Sequence, residues 1–115
     1  MALTIAFREV GDVTVLDLSG RITVGEGSVQ LREAIHGLIG EGVRNILLNL
    51  ERVNHIDSSG LGELVSAYTA VRSQHGEVKL LKPAKRVYEL LQVTKLSTVF
   101  DIRDDEVSAI ASYTR

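Results

Sequence analysis

The segment 45–50 restricts the possible fold more than any other part of the sequence. It reads NILLNL and is apolar at nearly every position. A strand with one face in water alternates apolar and polar residues, whereas a strand covered on both faces is apolar throughout. The segment therefore predicts a central strand of a sheet covered on both faces.

The residues before this segment predict a hairpin and a helix. Leu3, Ile5 and Phe7 alternate with polar or small residues, which is typical of a strand with one buried face. A turn at residues 11–12 leads to a second strand at 13–18, which we expect Ser19 and Gly20 to end. Residues 28–39 have apolar side chains at helical spacing and are followed by glycine, so they predict an amphipathic helix.

The residues after this segment continue the alternation. A second helix is predicted from Leu61 to about Gln74, and a strand at 77–81 follows it. Pro83 suits the first turn of a third helix, whose apolar face is formed by Val87, Leu90 and Leu91. A last strand at 98–102 and a helix from residues 104–105 through Val107, Ile110 and Ala111 complete the chain.

The element order is therefore β-β-α-β-α-β-α-β-α. Repeated β-α-β units require right-handed crossovers and parallel strands, while the hairpin adds an antiparallel pair. No linker or repeat interrupts the pattern. We expect one α/β domain over residues 1–115, with a mixed, mostly parallel sheet and helices packed on it.

Composition excludes several classes of function. A net charge of −2 over 115 residues gives no basic surface of the kind that binds nucleic acid. The chain has no cysteine, and its three histidines lack metal-ligand spacing, so we expect neither a metal site nor a cofactor. The first residues do not resemble a signal peptide, and no apolar run reaches the ~20 residues that cross a bilayer. We expect a cytoplasmic protein with no membrane insertion.

Residues 55–64, which read HIDSSGLGEL, follow the central strand and begin the second helix. This edge of an α/β sheet is where ligands usually bind, and a helix N-terminus favours an anion. An N-cap at Asp57 or Ser58 would explain one polar residue. It explains neither the second serine nor two glycines, each of which costs a helix about 1 kcal/mol. Small residues around an exposed hydroxyl favour a serine that another protein modifies or contacts.

Catalytic explanations fit the same residues poorly. A nucleophile elbow requires G-x-S-x-G, but Ile56 precedes Ser58 by two positions and Asp57 precedes Ser59 by two. The two glycines of this segment lack the third glycine of a dinucleotide-binding loop, and G-K-[ST] is absent. We therefore expect a protein that is not an enzyme.

Residues 56–62, IDSSGLG, preceded by Asn49 and Leu50, resemble the signature of the STAS domain family, specifically the bacterial anti-sigma factor antagonists. Residues 18–22, 45–50 and 96–100 extend the similarity over nearly the whole chain. The resemblance implies that the unmodified protein binds an anti-sigma factor that is also an ATP-dependent serine kinase. It implies phosphorylation of the first serine after the aspartate, Ser58, and a serine phosphatase that reverses it. The expected partner-binding residues are Thr23, Asp57, Ser58, Ser59, Gly60, Leu61 and Gly62.

Within that set, Asp57 and Ser59 are expected to hold the turn, and Gly60 and Gly62 to permit close approach of the partner. One position departs from the family pattern. Many members carry an acid shortly after the early glycine, whereas here Gly20 is followed by Arg21, Ile22 and Thr23. Thr23 is then either an interface residue or a strand-end hydroxyl. STAS domains also occur in transporters and signalling scaffolds, so the alternative is a non-switching subunit of a lipid-transport or stress-signalling assembly.

Overall fold

The computed structural model describes residues 2–113, so Met1, Thr114 and Arg115 of the predicted domain lie outside the described residues. Five strands form one sheet in the order β1-β2-β3-β4-β5, with β1 antiparallel to β2 and the other neighbours parallel. The predicted element order and mixed sheet are confirmed. The elements are β1 Leu3–Val10, β2 Val13–Ile22, α1 Glu26–Gly40, β3 Asn45–Ile56, α2 Ser58–Ser73, β4 Glu77–Leu81, α3 Lys85–Val93, a 3₁₀ turn Leu96–Thr98, β5 Ile102–Arg103 and α4 Glu106–Ala111.

Both faces of the sheet are covered, as the apolar segment 45–50 predicts. Helices α1, α2 and α3 pack on one face, here called the front, against Leu16, Leu48 and Leu80. The back face carries a smaller cluster in which Leu47 packs with Ala109 from α4. Neighbouring residues of β3 thus enter different cores, which explains why this strand does not alternate. No helix within residues 2–113 is long and apolar enough to cross a membrane.

Polar contacts hold α4 on the back face. The Tyr113 hydroxyl donates to the Ile46 carbonyl oxygen at 2.6 Å. The buried Lys79 ammonium donates to the Ser112 carbonyl at 3.0 Å and lies 4.6 Å from the centre of the Tyr113 ring. Arg8 bridges Asp17 on β2 and Glu106 on α4, at 2.6 and 2.8 Å. The short final helix is therefore positioned by hydrogen bonds and ion pairs as well as by apolar packing.

The structure corrects the predicted ends of two strands. Ser19 and Gly20 do not end β2, which continues to Ile22, and β3 continues to Ile56 instead of ending near Leu50. The parallel ladder between these strands supplies hydrogen bonds that outweigh the local turn tendency of serine and glycine. Only Asp57 separates β3 from α2.

Four smaller expectations are also wrong. Phe7 is 53% exposed instead of facing the core, since it borders an open cleft between β1 and the end of α1. Residues 98–102 are not one strand, because a 3₁₀ turn takes up their start and β5 has only two residues. Pro83 precedes the N-cap of α3 instead of lying in its first turn. In α4 the buried residue is Ala109, while Val107 is 77% exposed.

Candidate functional site

The end of β3 differs from its start because it has one neighbouring strand instead of two. Residues 46–49 pair with both β2 and β4, whereas the pairing beyond them is with β2 alone. The ladder contains two irregularities, between Asp17 and Ser19 and between Gly20 and Arg21 on β2. At each of them β3 advances one residue more than β2. Bulges increase the local twist and are common beside functional sites. β2 and β3 continue past the last residue of β3 that pairs with β4, and α2 begins just after the end of β3.

Asp57 is the N-cap of α2. One carboxylate oxygen accepts from the Gly60 backbone N–H at 2.9 Å, and the other accepts from the Val24 N–H at 2.9 Å. These two donors, from Val24 first and then Gly60, hold the pKa of the Asp57 carboxyl below its ordinary value. The side chain therefore caps the helix and also ties it to the loop before α1. Of the two candidate caps, Asp57 is the one the structure shows.

The two serines that follow have different surroundings. The Ser58 side chain is exposed, and its hydroxyl has no hydrogen-bond partner among residues 2–113. Ser59 is partly buried, with its hydroxyl oxygen 3.1 Å from that of the buried Ser28. Ser28 donates its single proton to the Thr23 carbonyl at 2.9 Å, so Ser59 is the donor to Ser28. Ser58 is thus the serine whose hydroxyl is open to another molecule.

The two glycines of the motif also differ. A Cβ on Gly60 would overlap the carbonyl oxygen of Ile22 at the end of β2, so Gly60 allows α2 to approach the sheet. A Cβ on Gly62 would meet nothing within 4 Å. The expectation that Gly60 makes room for a partner is therefore wrong, since the close approach it permits is internal. Leu61 is buried as well, at 9% exposure, and presents little side chain to a partner.

The loop before α1 completes the surface around Ser58. Thr23 is half-buried and its carbonyl accepts from the Ser28 backbone N–H at 3.0 Å. Val24, bonded through its N–H to Asp57, is 76% exposed. Val24 and Ser28 are not among the residues that the sequence pattern predicts for this site. Val24 could have been noticed as the only large apolar residue among the small and polar residues 23–28, whereas the role of Ser28 depends on a contact between helices.

The site presents an exposed serine hydroxyl at the start of a helix. Asp57 is already engaged by two backbone donors, so it is poorly suited to accept the Ser58 proton. No cluster of histidine and carboxylate side chains in residues 2–113 is suited to hold a metal ion. The dipole at the start of a 16-residue helix favours an added negative group.

Comparison with known proteins agrees with this fold and motif. The profile of the STAS domain family matches residues 4–109. The anti-sigma-B factor antagonist of Bacillus subtilis strain 168 is 32% identical over 87 residues, which cover 76% of this chain and 78% of the relative. A single α/β domain with this mixed sheet and this motif is of the STAS class. The chain belongs to the STAS domain family.

Solved structures of bacterial proteins show the same fold. A Thermotoga maritima protein described as an anti-sigma factor antagonist matches with a TM-score of 0.89 at 25% identity, over 96% of this chain and 95% of the other. The anti-sigma factor antagonist SpoIIAA in its unphosphorylated form matches with a TM-score of 0.71 at 25% identity, over 94% and 96%. Phosphorylated SpoIIAA of Bacillus matches with a TM-score of 0.74 at 24% identity, over 94% and 97%.

Proposed function

We propose that this chain is an anti-sigma factor antagonist that is switched by phosphorylation of Ser58. In its unphosphorylated form it binds an anti-sigma factor and thereby releases a sigma factor. The names of its relatives support this role. The observation that carries the choice of residue is the difference between the two serines: Ser58 has an exposed, unpartnered hydroxyl among the described residues 2–113, and Ser59 is bonded to Ser28.

The proposed binding surface surrounds Ser58. Thr23, Val24 and Gly62 contribute its accessible parts, and Asp57 and Ser59 fix the loop and helix beneath them. Gly60 and Leu61 belong to the same segment but act from inside the domain, by setting how closely α2 packs on β2. The exposed Val24 supplies apolar area on a surface that is otherwise small and polar, which suits a protein partner.

The anti-sigma factor is proposed to be also the kinase, using ATP to phosphorylate Ser58, and a serine phosphatase is proposed to restore the binding form. The antagonist itself is then regulatory and not catalytic. Its place is the cytoplasm, where these partners act on transcription.

The charge of the phosphate explains how the switch would act without unfolding the domain. A phosphoserine adds about −1.5 to −2 charge, which the dipole at the start of α2 tolerates. An interface that buries a neutral hydroxyl would instead have to bury a dianion, which is far more costly than losing a hydrogen bond. SpoIIAA itself keeps a fold similar to this chain in both its phosphorylated and its unphosphorylated form.

Phosphorylation mapping tests the proposal. The protein is incubated with ATP, Mg²⁺ and the purified anti-sigma-type serine kinase from its own genome, and the products are analysed by mass spectrometry. We expect one phosphate on Ser58, and none in Ser58→Ala. Ser59→Ala is the matched control and should still accept one phosphate. Phosphate on Ser59, or phosphate that persists in Ser58→Ala, would refute the assignment.

The same assay addresses the alternative function. A non-switching STAS subunit of a lipid-transport or stress-signalling assembly would form a stable complex with its partners and accept no phosphate. The assembly is purified with the wild-type chain and, separately, with Ser58→Asp. Equal yields of the two chains in the assembly would favour the alternative.

A further inference from the structure

The end of the β2–β3 ladder, which leads through Asp57 into Ser58, carries three residues with basic side chains. Arg21 and His55 are paired across the two strands, and Arg52 is paired with Ser19, two residues before Arg21. All three side chains are exposed. The neighbours of Arg21 and His55, Ile22 and Ile56, are buried in the front core, so we assign the basic residues to the back edge of the sheet. We call Arg21, Arg52 and His55 the basic ridge.

The backbone of the fold holds this ridge in place. β3 has one extra residue between Asn49 and Arg52 and another between Val53 and His55. These extra residues bring Arg52 opposite Ser19 and His55 opposite Arg21. On β2, the Arg21 N–H donates to the Ala2 carbonyl at 2.7 Å. Because the backbone of these positions is fixed before binding, docking a partner there costs less backbone entropy.

The basic ridge has no compensating ion pair inside the domain. Within residues 2–113, none of its three side chains lies within 4.0 Å of a carboxylate oxygen. Asp17 senses the charge of Arg52, but its carboxylate is already bound by Arg8 and Asn49. Glu51 is the exposed acid next to Arg52 in the chain. Arg21 and Arg52 are therefore two positive charges without an ion-pair partner among residues 2–113, on a chain whose net charge is −2.

We infer that the basic ridge docks an acidic segment of the anti-sigma factor that binds at Ser58. This inference rests on the proposed function and specifies the chemistry of the partner. Complementary charges at the rim of an interface mainly raise the association rate and select among partners. A net negative chain would otherwise repel an acidic partner, so the ridge supplies local attraction at the end of the ladder that leads into Ser58.

Association kinetics test the inference. The probe is the serine kinase used in the phosphorylation assay, and stopped-flow measurements give its association rate at 50 and 500 mM NaCl. We expect the double variant Arg21→Glu/Arg52→Glu to associate at least about tenfold more slowly than wild type at the lower salt concentration, and this deficit to shrink at the higher one. The matched control, Arg44→Glu/Arg72→Glu, makes the same change in net charge at the start of β3 and the end of α2. It should stay within about threefold of wild type.

Thermal unfolding checks that the variants are folded. If the charge-reversal variant Arg21→Glu/Arg52→Glu does not fold, Arg21→Gln/Arg52→Gln replaces it. This neutral variant should also slow association more than its control, Arg44→Gln/Arg72→Gln. Equal effects of ridge and control variants, or no effect of either, would overturn the inference while leaving the proposed function intact. Failure of the wild-type chain to bind the kinase or to be phosphorylated would instead refute the proposed function, and the inference with it.

Discussion

The two halves of β3 show how one strand can belong to both the core and the binding site. In residues 46–49, β3 lies between β2 and β4, and Ile46, Leu47 and Leu48 are fully buried. In residues 52–56 it pairs with β2 alone, and the buried Val53 and Ile56 are separated by exposed polar residues. The first half is a fixed base, and the second half extends from it and carries the start of α2 to the surface. The precision of the site thus depends on the rigidity of the core half.

The largest difference between the halves is expected in stability. Leu48→Ala removes a fully buried side chain from the front core and should lower the free energy of unfolding by about 2–5 kcal/mol. His55→Ala, in the exposed half, should change it by less than about 0.5 kcal/mol. Urea denaturation of both variants measures this contrast. Comparable losses in the two variants would contradict the division of β3 into a core half and a surface half.

The glycines of α2 give a second contrast within the site itself. Gly60→Ala places a methyl group against the Ile22 carbonyl and should cost about 1–3 kcal/mol or more, because backbone atoms must move. Gly62→Ala meets open space in a helix and should stabilise the domain by up to about 1 kcal/mol. Opposite shifts in melting temperature are therefore expected. A neutral Gly60→Ala would show that α2 does not need its close approach to β2.

The two halves of β3 also differ in how much of them the sequence reveals. The apolar run 45–50 predicts a covered central strand by itself, because burial on both faces leaves a local pattern. The continuation of β3 to Ile56 is not visible in the sequence, since its polar residues are held there by pairing with β2. The same reason explains why Ser19 and Gly20 do not end their strand.

The site was predicted in part. The DSSGLG pattern placed Asp57, Ser58 and Ser59 at the start of a helix, and its resemblance to the STAS family selected Ser58. The Ser59–Ser28 hydrogen bond, which supports the proposal of Ser58 over Ser59, joins residues 31 positions apart and leaves no local signal. The internal role of Gly60 and the pairing of Arg21 with His55 likewise arise from contacts between separate elements.

The smallest expected effect is a dependence of stability on pH at Asp57. The Val24 and Gly60 N–H donors lower the pKa of this carboxyl in the folded protein. Its ionised form therefore stabilises the fold at pH values above the ordinary pKa of about 4. This contribution is lost as the pH falls through the folded pKa. The asparagine of an Asp57→Asn variant still caps a helix but carries no charge. Wild type should therefore melt slightly higher than Asp57→Asn at pH 7.

That small advantage should shrink as the pH falls below about 4. The other carboxyls with a lowered pKa, such as Asp17 and Glu106, are present in both proteins and cancel in the difference. Thermal melts of the two proteins at several pH values give the comparison. A difference in melting temperature that stays constant down to low pH would show that the charge of Asp57 contributes nothing to the cap.

The central claim is that a negative charge at Ser58 blocks the partner without disturbing the fold, and binding measurements on Ser58→Asp and Ser58→Ala test it most directly. Calorimetric titration with the kinase should show Ser58→Asp binding at least about a hundredfold more weakly than wild type, because the interface must desolvate an uncompensated charge. Ser58→Ala, which loses only an exposed hydroxyl, should bind about as tightly as wild type, and both variants should melt close to it. If Ser58→Asp binds as tightly as wild type, or if it loses binding only because it melts many degrees lower, the account of Ser58 as an interface switch is wrong.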